Sequence, residues 1–147
     1  MTSKKAQLTK VTDAISSLTH DTPLCTEEVI FKINANGDWF YLGGKLPLKF
    51  SKLFASILNR IGEEYFLITP VEKLRVSVEH QALMIVDYHS EAGGNFTLKS
   101  SINTEHLVSS FEQFIIAEDS ITLTLEREVE ARLNRACFYR FIDEFIA

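Results

Sequence analysis

The chain has 147 residues, of which 46% are apolar and 11% aromatic, so it is long enough for one sizeable core or two small lobes sharing an interface. Its formal net charge of −5 at pH 7 argues against general nucleic-acid binding, because neutralising phosphates requires a basic surface. Its apolar runs are too short for a membrane span or a secretory signal, so the expected location is the cytoplasm.

The predicted elements begin with an amphipathic helix within residues 1–19. Its apolar residues, which recur at three- and four-residue steps, are Leu8, Val11, Ile15 and Leu18. Two strands follow at residues 28–33 and 38–42, joined by an Asn/Gly turn that is typical of a hairpin. The second strand carries the only Trp of the chain, Trp39, together with Tyr41, and these aromatic side chains could either pack in the core or bind a ligand.

A second helix is predicted from Phe50 to Ile61, ending at Gly62. Its apolar stripe consists of Phe50, Leu53, Phe54, Ile57, Leu58 and Ile61. Glycine at the end of such a stripe is typical of a helix C-cap. The middle of this stripe, Phe54 and Ile57, is therefore expected to be buried in the core.

The remaining pattern is mostly β, and it ends in a predicted helix over residues 129–146. Strands are predicted at 65–69, 73–79, 83–88, 95–99, 114–117 and 120–125. Pro70 separates the first two of these strands, and Glu72 in this corner is expected to pair with an Arg or a Lys.

The predicted final helix carries a polar stripe of Arg132, Arg135, Tyr139 and Asp143. One interpretation is a solvated face with internal ion pairs, because Glu126, Glu128 and Glu130 are close in sequence. The other interpretation is an anion or partner site, because guanidinium groups form bidentate contacts with carboxylates and phosphates.

Sequence templates for catalysis and metal binding are weak. Cys25 and Cys137 lack metal-ligand spacing and are interpreted as reduced thiols, and the histidines show no clustered ligand pattern. The pairs Gly43-Gly44 and Gly93-Gly94 lack a phosphate-loop lysine or a dinucleotide fingerprint, which indicates turns. No cofactor, no metal and no enzymatic activity are expected.

Four segments carry a family resemblance: residues 23–25 (PLC), 37–41 (GDWFY), 67–73 (LITPVEK) and 127–139 (REVEARLNRACFY). Together they resemble the bacterial domain of unknown function, family 1285 (DUF1285). The resemblance implies an α+β fold with a duplicated strand/helix motif in two packed lobes. It also implies a C-terminal lobe like a pleckstrin-homology module, with antiparallel strands closed by a C-terminal helix. The lobes are predicted at residues 20–71 and 72–147.

The expected function is a non-catalytic binding or regulatory role, and the resemblance implies a place in bacterial signal transduction. The ligand, an unknown small anionic molecule or a protein partner, is expected in the groove between the lobes. The residues expected to line this groove are Trp39, Tyr41, Thr69, Glu72, Lys73, Arg132, Arg135 and Tyr139. The alternatives are an enzyme of unknown reaction and a purely structural or assembly protein.

Overall fold

The structure, a computed structural model, describes residues 24–146 and consists of two lobes, each built on a six-stranded sheet. The predicted helix within residues 1–19 lies outside the described residues. The elements of the first lobe are β1 (Leu24–Ile33), β2 (Trp39–Tyr41), β3 (Gly44–Lys45), α1 (Leu48–Ala55), β4 (Leu58–Ile61), β5 (Glu64–Ile68) and β6 (Lys73–Val78). None of the described helices is both long enough and apolar enough to cross a bilayer.

The second lobe repeats this arrangement and ends in a helix. Its strands are β7 (Leu83–Ser90), β8 (Phe96–Ser100), β9 (Glu105–Val108), β10 (Ile115–Ile116), β11 (Ile121–Thr124) and β12 (Glu130–Leu133). A 3-10 turn spans Phe111–Gln113, another spans Glu126–Glu128, and α2 (Arg135–Phe141) continues into a π-helical turn at Ile142–Ile146.

The two sheets share one topology, and this is the duplication in the fold. The strand order is β3-β2-β1-β6-β5-β4 in the first sheet and β10-β11-β12-β7-β8-β9 in the second. In each sheet the first and the last strand of the lobe pair in parallel at the centre, and an antiparallel meander flanks them on either side. The chain is therefore an α+β protein with two packed lobes of pleckstrin-homology-like character.

The hairpin predicted at residues 28–33 and 38–42 is present as β1 and β2, in the register Ile33 to Trp39. Its turn is closed by the Asn34 side chain, which accepts hydrogen bonds from the backbone N–H groups of Asn36 and Asp38. Strands β5, β6, β7, β8, β10 and β11 also lie within a few residues of their predicted positions.

The helix predicted from Phe50 to Ile61 is wrong in its second half. Helix α1 ends at Ala55, residues Leu58–Ile61 form β4, and Gly62 lies in the turn to β5 with φ of +65° instead of capping a helix. The apolar residues Ile57 and Leu58 are buried as expected, but they reach the core from a bend and a strand. Apolar residues in a short run satisfy either period, so pairing with β5 decided the outcome.

The single helix predicted over residues 129–146 is also wrong. Residues Glu130–Leu133 form β12 between β11 and β7, and their burial alternates with the two-residue period of a strand. Asn134 separates strand from helix because its side chain accepts a hydrogen bond from the backbone N–H of Cys137, which is an N-cap. Arg132 therefore lies on a strand, and the four-residue polar stripe does not exist as one helical face.

Within residues 24–146, six hydrogen bonds join the lobes, and one of them runs from Ser101 Oγ to the carbonyl oxygen of Asn36 (3.3 Å). The other five are Arg60 Nε to Glu128 O (2.6 Å), Arg127 Nε to Leu58 O (2.8 Å), Arg127 Nη2 to Ala55 O (3.0 Å), Glu130 N to Tyr65 Oη (3.1 Å) and Arg132 Nη2 to Ala35 O (3.0 Å). Gly37, at φ +81°, lies where the hairpin turn meets the second lobe, and a Cβ there would come within 3.2 Å of the Met84 backbone nitrogen. A side chain at this position would be strained by the positive φ and would require its neighbours in the second lobe to shift by a few tenths of an ångström.

The two sheets divide the chain between Val78 and Leu83, because β6 pairs with β1 and β5 of the first sheet. The sequence interpretation placed the division between residues 71 and 72 instead, at the corner that contains Pro70. That corner is a turn between two neighbouring strands of one sheet, so a proline there marks a local change of direction.

Candidate functional site

The eight residues expected to line one groove lie in three separate places. Trp39 and Tyr41 belong to the aromatic core of the first lobe, where Trp39 stacks on Phe54 with ring centroids 6.1 Å apart and Tyr41 lies 5.1 Å from Phe31. Trp39 is 1% exposed, although it borders a cavity of about 510 Å³ between the lobes that Ser101 also lines. Its indole is a packing group.

Thr69, Glu72 and Lys73 form the corner between β5 and β6. The buried Thr69 hydroxyl accepts from the backbone N–H of Glu72 at 2.9 Å and donates to the Glu72 carbonyl oxygen at 3.1 Å, so it stabilises the turn. Lys73 lies over the Phe66 ring at 5.0 Å. Within residues 24–146 no ion pair joins the Glu72 carboxylate to a basic side chain, so the predicted pairing is wrong for that part of the chain.

Arg132, Arg135 and Tyr139 do come together, in a cavity of about 750 Å³ that we call the arginine cavity. Arg132 reaches it from β12, and the other two reach it from α2. Asn36, from the hairpin turn of the first lobe, lines it as well, so the cavity lies between the lobes. The three residues thus meet through a strand–helix corner and not along one helical face.

The two guanidinium groups in the arginine cavity differ in their bonding. Arg132 Nη2 donates to the carbonyl oxygen of Ala35 at 3.0 Å, which orients it and ties it to the first lobe. The Arg135 guanidinium lies 5.8 Å from the centre of the Tyr139 ring, and among the described residues it has neither a hydrogen bond nor an ion pair. Its donors are therefore open to a ligand.

Acidic residues also line the arginine cavity, but they are not the ones that the sequence suggested. Glu118 and Asp119, in the turn between β10 and β11, border the cavity and form no ion pair with its arginines in the described chain. Glu126 and Glu130, suggested from the sequence as neutralising partners, lie elsewhere: Glu126 bonds His106, and the Glu130 backbone N–H bonds Tyr65.

A second inter-lobe cavity, of about 620 Å³, contains a group that sequence reasoning missed. We call it the histidine cavity, because His106 on β9 lines it together with Lys52 and Ser56 from the first lobe. The remaining polar residues that line it are Asn103, Thr104, Glu105, Glu126 and Arg127, and the apolar ones are Ala55, Leu58, Leu83, Leu125 and Val129. Both lobes are needed to form it.

The His106 ring joins a hydroxyl to a carboxylate. Its Nδ1 lies 2.8 Å from Glu126 Oε1, and its Nε2 lies 2.9 Å from Thr104 Oγ1. The Thr104 hydroxyl is 2.5 Å from the hydroxyl of Ser100, which is buried and also accepts from the Thr104 backbone N–H at 3.1 Å. Thr104 and His106 alternate on one side of the chain entering β9, but nothing in the sequence indicates the carboxylate 20 residues later.

The turn at Glu126–Glu128 contains two side chains with shifted pKa values and two residues with positive φ angles. The hydrogen bond from His106 lowers the pKa of the Glu126 carboxyl to about 2, and burial lowers the pKa of the Arg127 guanidinium from its ordinary value. Arg127 and Glu128 have left-handed backbone conformations, with φ of +59° and +62°. Such conformations are costly for residues other than glycine, and they concentrate at functional sites and tight junctions.

Among solved structures, the chain is similar to a DUF1285 family protein from Shewanella baltica, with 49% identity and a TM-score of 0.75. The match covers 82% of this chain and 95% of that one. The chain belongs to the DUF1285 family. The model of the family's N-terminal domain, a domain of unknown function, matches residues 18–81, and this segment ends between β6 and β7.

A DUF1285 family protein from Silicibacter pomeroyi has the same fold, with a TM-score of 0.67 and 20% identity over 90% of this chain and 82% of that one. No curated protein matches the chain. Within the described residues, no group of three or more His, Cys, Asp or Glu residues is arranged to hold a metal ion. Membership of the DUF1285 family implies no particular activity, and the two inter-lobe cavities are the candidate functional sites.

Proposed function

We propose that this protein has a non-catalytic binding or regulatory role, in which a small anionic molecule occupies the arginine cavity. The observation that carries the proposal is the Arg135 guanidinium, which lacks a hydrogen-bonding partner among the described residues and faces a cavity shared by both lobes. Guanidinium groups bind carboxylates and phosphates through paired hydrogen bonds, and each charge-assisted bond contributes about 1.5–3 kcal/mol.

The neighbouring groups narrow the ligand class. Arg132 is already oriented by its bond to Ala35, so it can add a second donor without a large loss of side-chain freedom. Tyr139, with 57% of its surface exposed, offers an aromatic wall. Glu118 and Asp119 repel polyanions, which favours an anion of one or two charges over a nucleic acid.

A regulatory role follows from the position of the cavity. A ligand that bridges Asn36 of the first lobe and Arg135 of the second would stabilise one relative placement of the lobes. In the cytoplasm of a bacterium, a protein partner in signal transduction would bind the arrangement of the lobes that the ligand stabilises. Catalysis has no part in this role, because shape and charge suffice for binding.

Titration calorimetry tests the proposal with inorganic phosphate and succinate as probes. We expect at least one anion to bind the wild type and Arg135→Ala to weaken it by about 1.5–3 kcal/mol, or roughly 10- to 150-fold. Lys99→Ala is the matched control, because it removes the same charge from an exposed position on β8 outside the cavity. Equal affinities for the wild type and a folded Arg135→Ala would refute the site.

A further inference from the structure

The hydrogen bonds around His106 form a chain in which each group donates to the next, from Ser100 through Thr104 and His106 to Glu126. The Glu126 carboxylate can only accept, so the hydrogen between it and the ring lies on His106 Nδ1. In the neutral ring Nε2 is then an acceptor, and the Thr104 hydroxyl donates to it. The Ser100 hydroxyl in turn donates to Thr104 Oγ1, while Ser100 Oγ accepts from the Thr104 backbone N–H.

This order of groups is the one that activates a hydroxyl nucleophile. A carboxylate on Nδ1 fixes the tautomer and orients the ring, and Nε2 takes the proton from the hydroxyl. The His106 side chain is only 10% exposed and has both ring nitrogens bonded, so its orientation is set before any ligand enters.

We propose that the histidine cavity is a hydrolytic site in which Thr104 is the nucleophile, His106 the general base and acid, and Glu126 the residue that orients His106. The substrate class is a carboxylic ester with a short apolar acyl group, because Leu58, Leu83 and Val129 supply apolar surface in the same cavity. This activity goes beyond the binding role of the arginine cavity and does not depend on it.

The reaction consumes only ester and water. Thr104 Oγ1 attacks the ester carbonyl carbon as its proton passes to His106 Nε2, and the C–O bond to the alcohol breaks as His106 returns that proton to the leaving oxygen. Water then repeats the sequence on the acyl-threonine, which releases the carboxylic acid and restores the Thr104 hydroxyl. The Lys52 ammonium, which lines the cavity from α1, supplies a positive charge for the developing oxyanion, whereas the Arg127 guanidinium is bonded to the Leu58 and Ala55 carbonyls.

Hydrolysis of p-nitrophenyl acetate and p-nitrophenyl butyrate by the full chain tests the proposal. We expect a saturable rate in the wild type, a loss of roughly 100-fold or more in Thr104→Val and His106→Gln, and partial activity in Thr104→Ser, which keeps the hydroxyl. Ser109→Ala is the matched control, because it removes a hydroxyl that bonds Gln113 outside the cavity. A wild-type rate no higher than that of Thr104→Val would overturn the proposal.

Labelling with an alkyl fluorophosphonate decides the question even if a variant does not fold. Reaction at Thr104 of the wild type would add the phosphonyl group, with loss of fluoride, to the peptide that contains residue 104. Labelling should be slower in Glu126→Gln, because that variant no longer presents a carboxylate to His106 Nδ1. Modification elsewhere, or no modification at all, would reject Thr104 as a nucleophile.

Discussion

Removal of the Arg127 side chain should lower the stability of the protein by breaking two hydrogen bonds between the lobes. The side chain projects from the second lobe and donates from Nε to the Leu58 carbonyl at 2.8 Å and from Nη2 to the Ala55 carbonyl at 3.0 Å. The Ala55 carbonyl lies at the C-terminal end of α1, where the peptide dipoles favour a positive charge, and the Leu58 carbonyl belongs to the first residue of β4. One guanidinium therefore satisfies two backbone acceptors of the first lobe.

The loss can be worked out from these contacts. Hydrogen bonds to a charged donor contribute about 1.5–3 kcal/mol each, and water from the adjacent histidine cavity can rehydrate the freed carbonyls, so we expect Arg127→Ala to cost about 3 kcal/mol. The backbone at residue 127 is left-handed, with φ of +59°, and this conformation costs a residue with a Cβ about 1–2 kcal/mol. Arg127→Gly should therefore be more stable than Arg127→Ala by about 1 kcal/mol.

Urea unfolding of the three proteins measures both quantities, with the slope required to stay constant. Arg135→Ala is the control, because its exposed guanidinium has no hydrogen bond among the described residues and its loss should change stability by less than about 0.5 kcal/mol. If Arg127→Ala matched Arg135→Ala in stability, the two carbonyl contacts would not hold the lobes together. If Arg127→Gly were less stable than Arg127→Ala, the argument from the left-handed backbone would be wrong.

Three further predictions use the same assay. Phe54→Ala should cost about 3–5 kcal/mol at an unchanged slope, because the ring is buried against Trp39 and Phe31, and a negligible shift of the midpoint would remove it from the core. Trp39→Phe should cost less than Phe54→Ala, because the buried indole N–H has no hydrogen-bond partner within residues 24–146 and its removal leaves no acceptor there unpaired; an equal or larger cost would contradict this reasoning. The pKa of Glu126 is lowered to about 2 in the folded chain, so its contribution is complete above the unfolded value near 4.5 and is lost as the pH falls towards 2; Glu126→Gln should be less stable than the wild type at pH 7, and the difference should shrink over that window.

Local patterns determined part of this fold directly. The Asn34–Gly37 turn between two β-rich runs specified the first hairpin, because asparagine and glycine adopt the conformations that such turns require. The two-residue alternation of Leu74, Val76 and Val78 likewise predicted β6, which covers the core on one face. Four ordered segments were enough to predict the DUF1285 family.

The helix predicted over residues 129–146 failed for a physical reason that no local pattern contains. Residues Glu130–Leu133 are compatible with a helix, but pairing with β11 and β7 satisfies their backbone groups in a sheet and buries Ala131 and Leu133. The same effect split the helix that was predicted to end at Gly62. In both cases neighbouring strands outweighed a local preference that amounts to a few tenths of a kcal/mol per residue.

The residue types in the sequence indicate which side chains are able to bind an anion. The tertiary structure determines which of these side chains lie close together. Arg132, Arg135 and Tyr139 share a cavity because β12 turns into α2 at Asn134, whereas Trp39 is buried in the core and Thr69 stabilises a corner. The hydrogen bond between Glu126 and His106 forms because the turn at Glu126–Glu128 lies close to β9. No pattern in the sequence predicts this contact. A site assembled from distant segments exists only once the strands that carry them have paired, since spacing along the chain does not encode distance across a sheet.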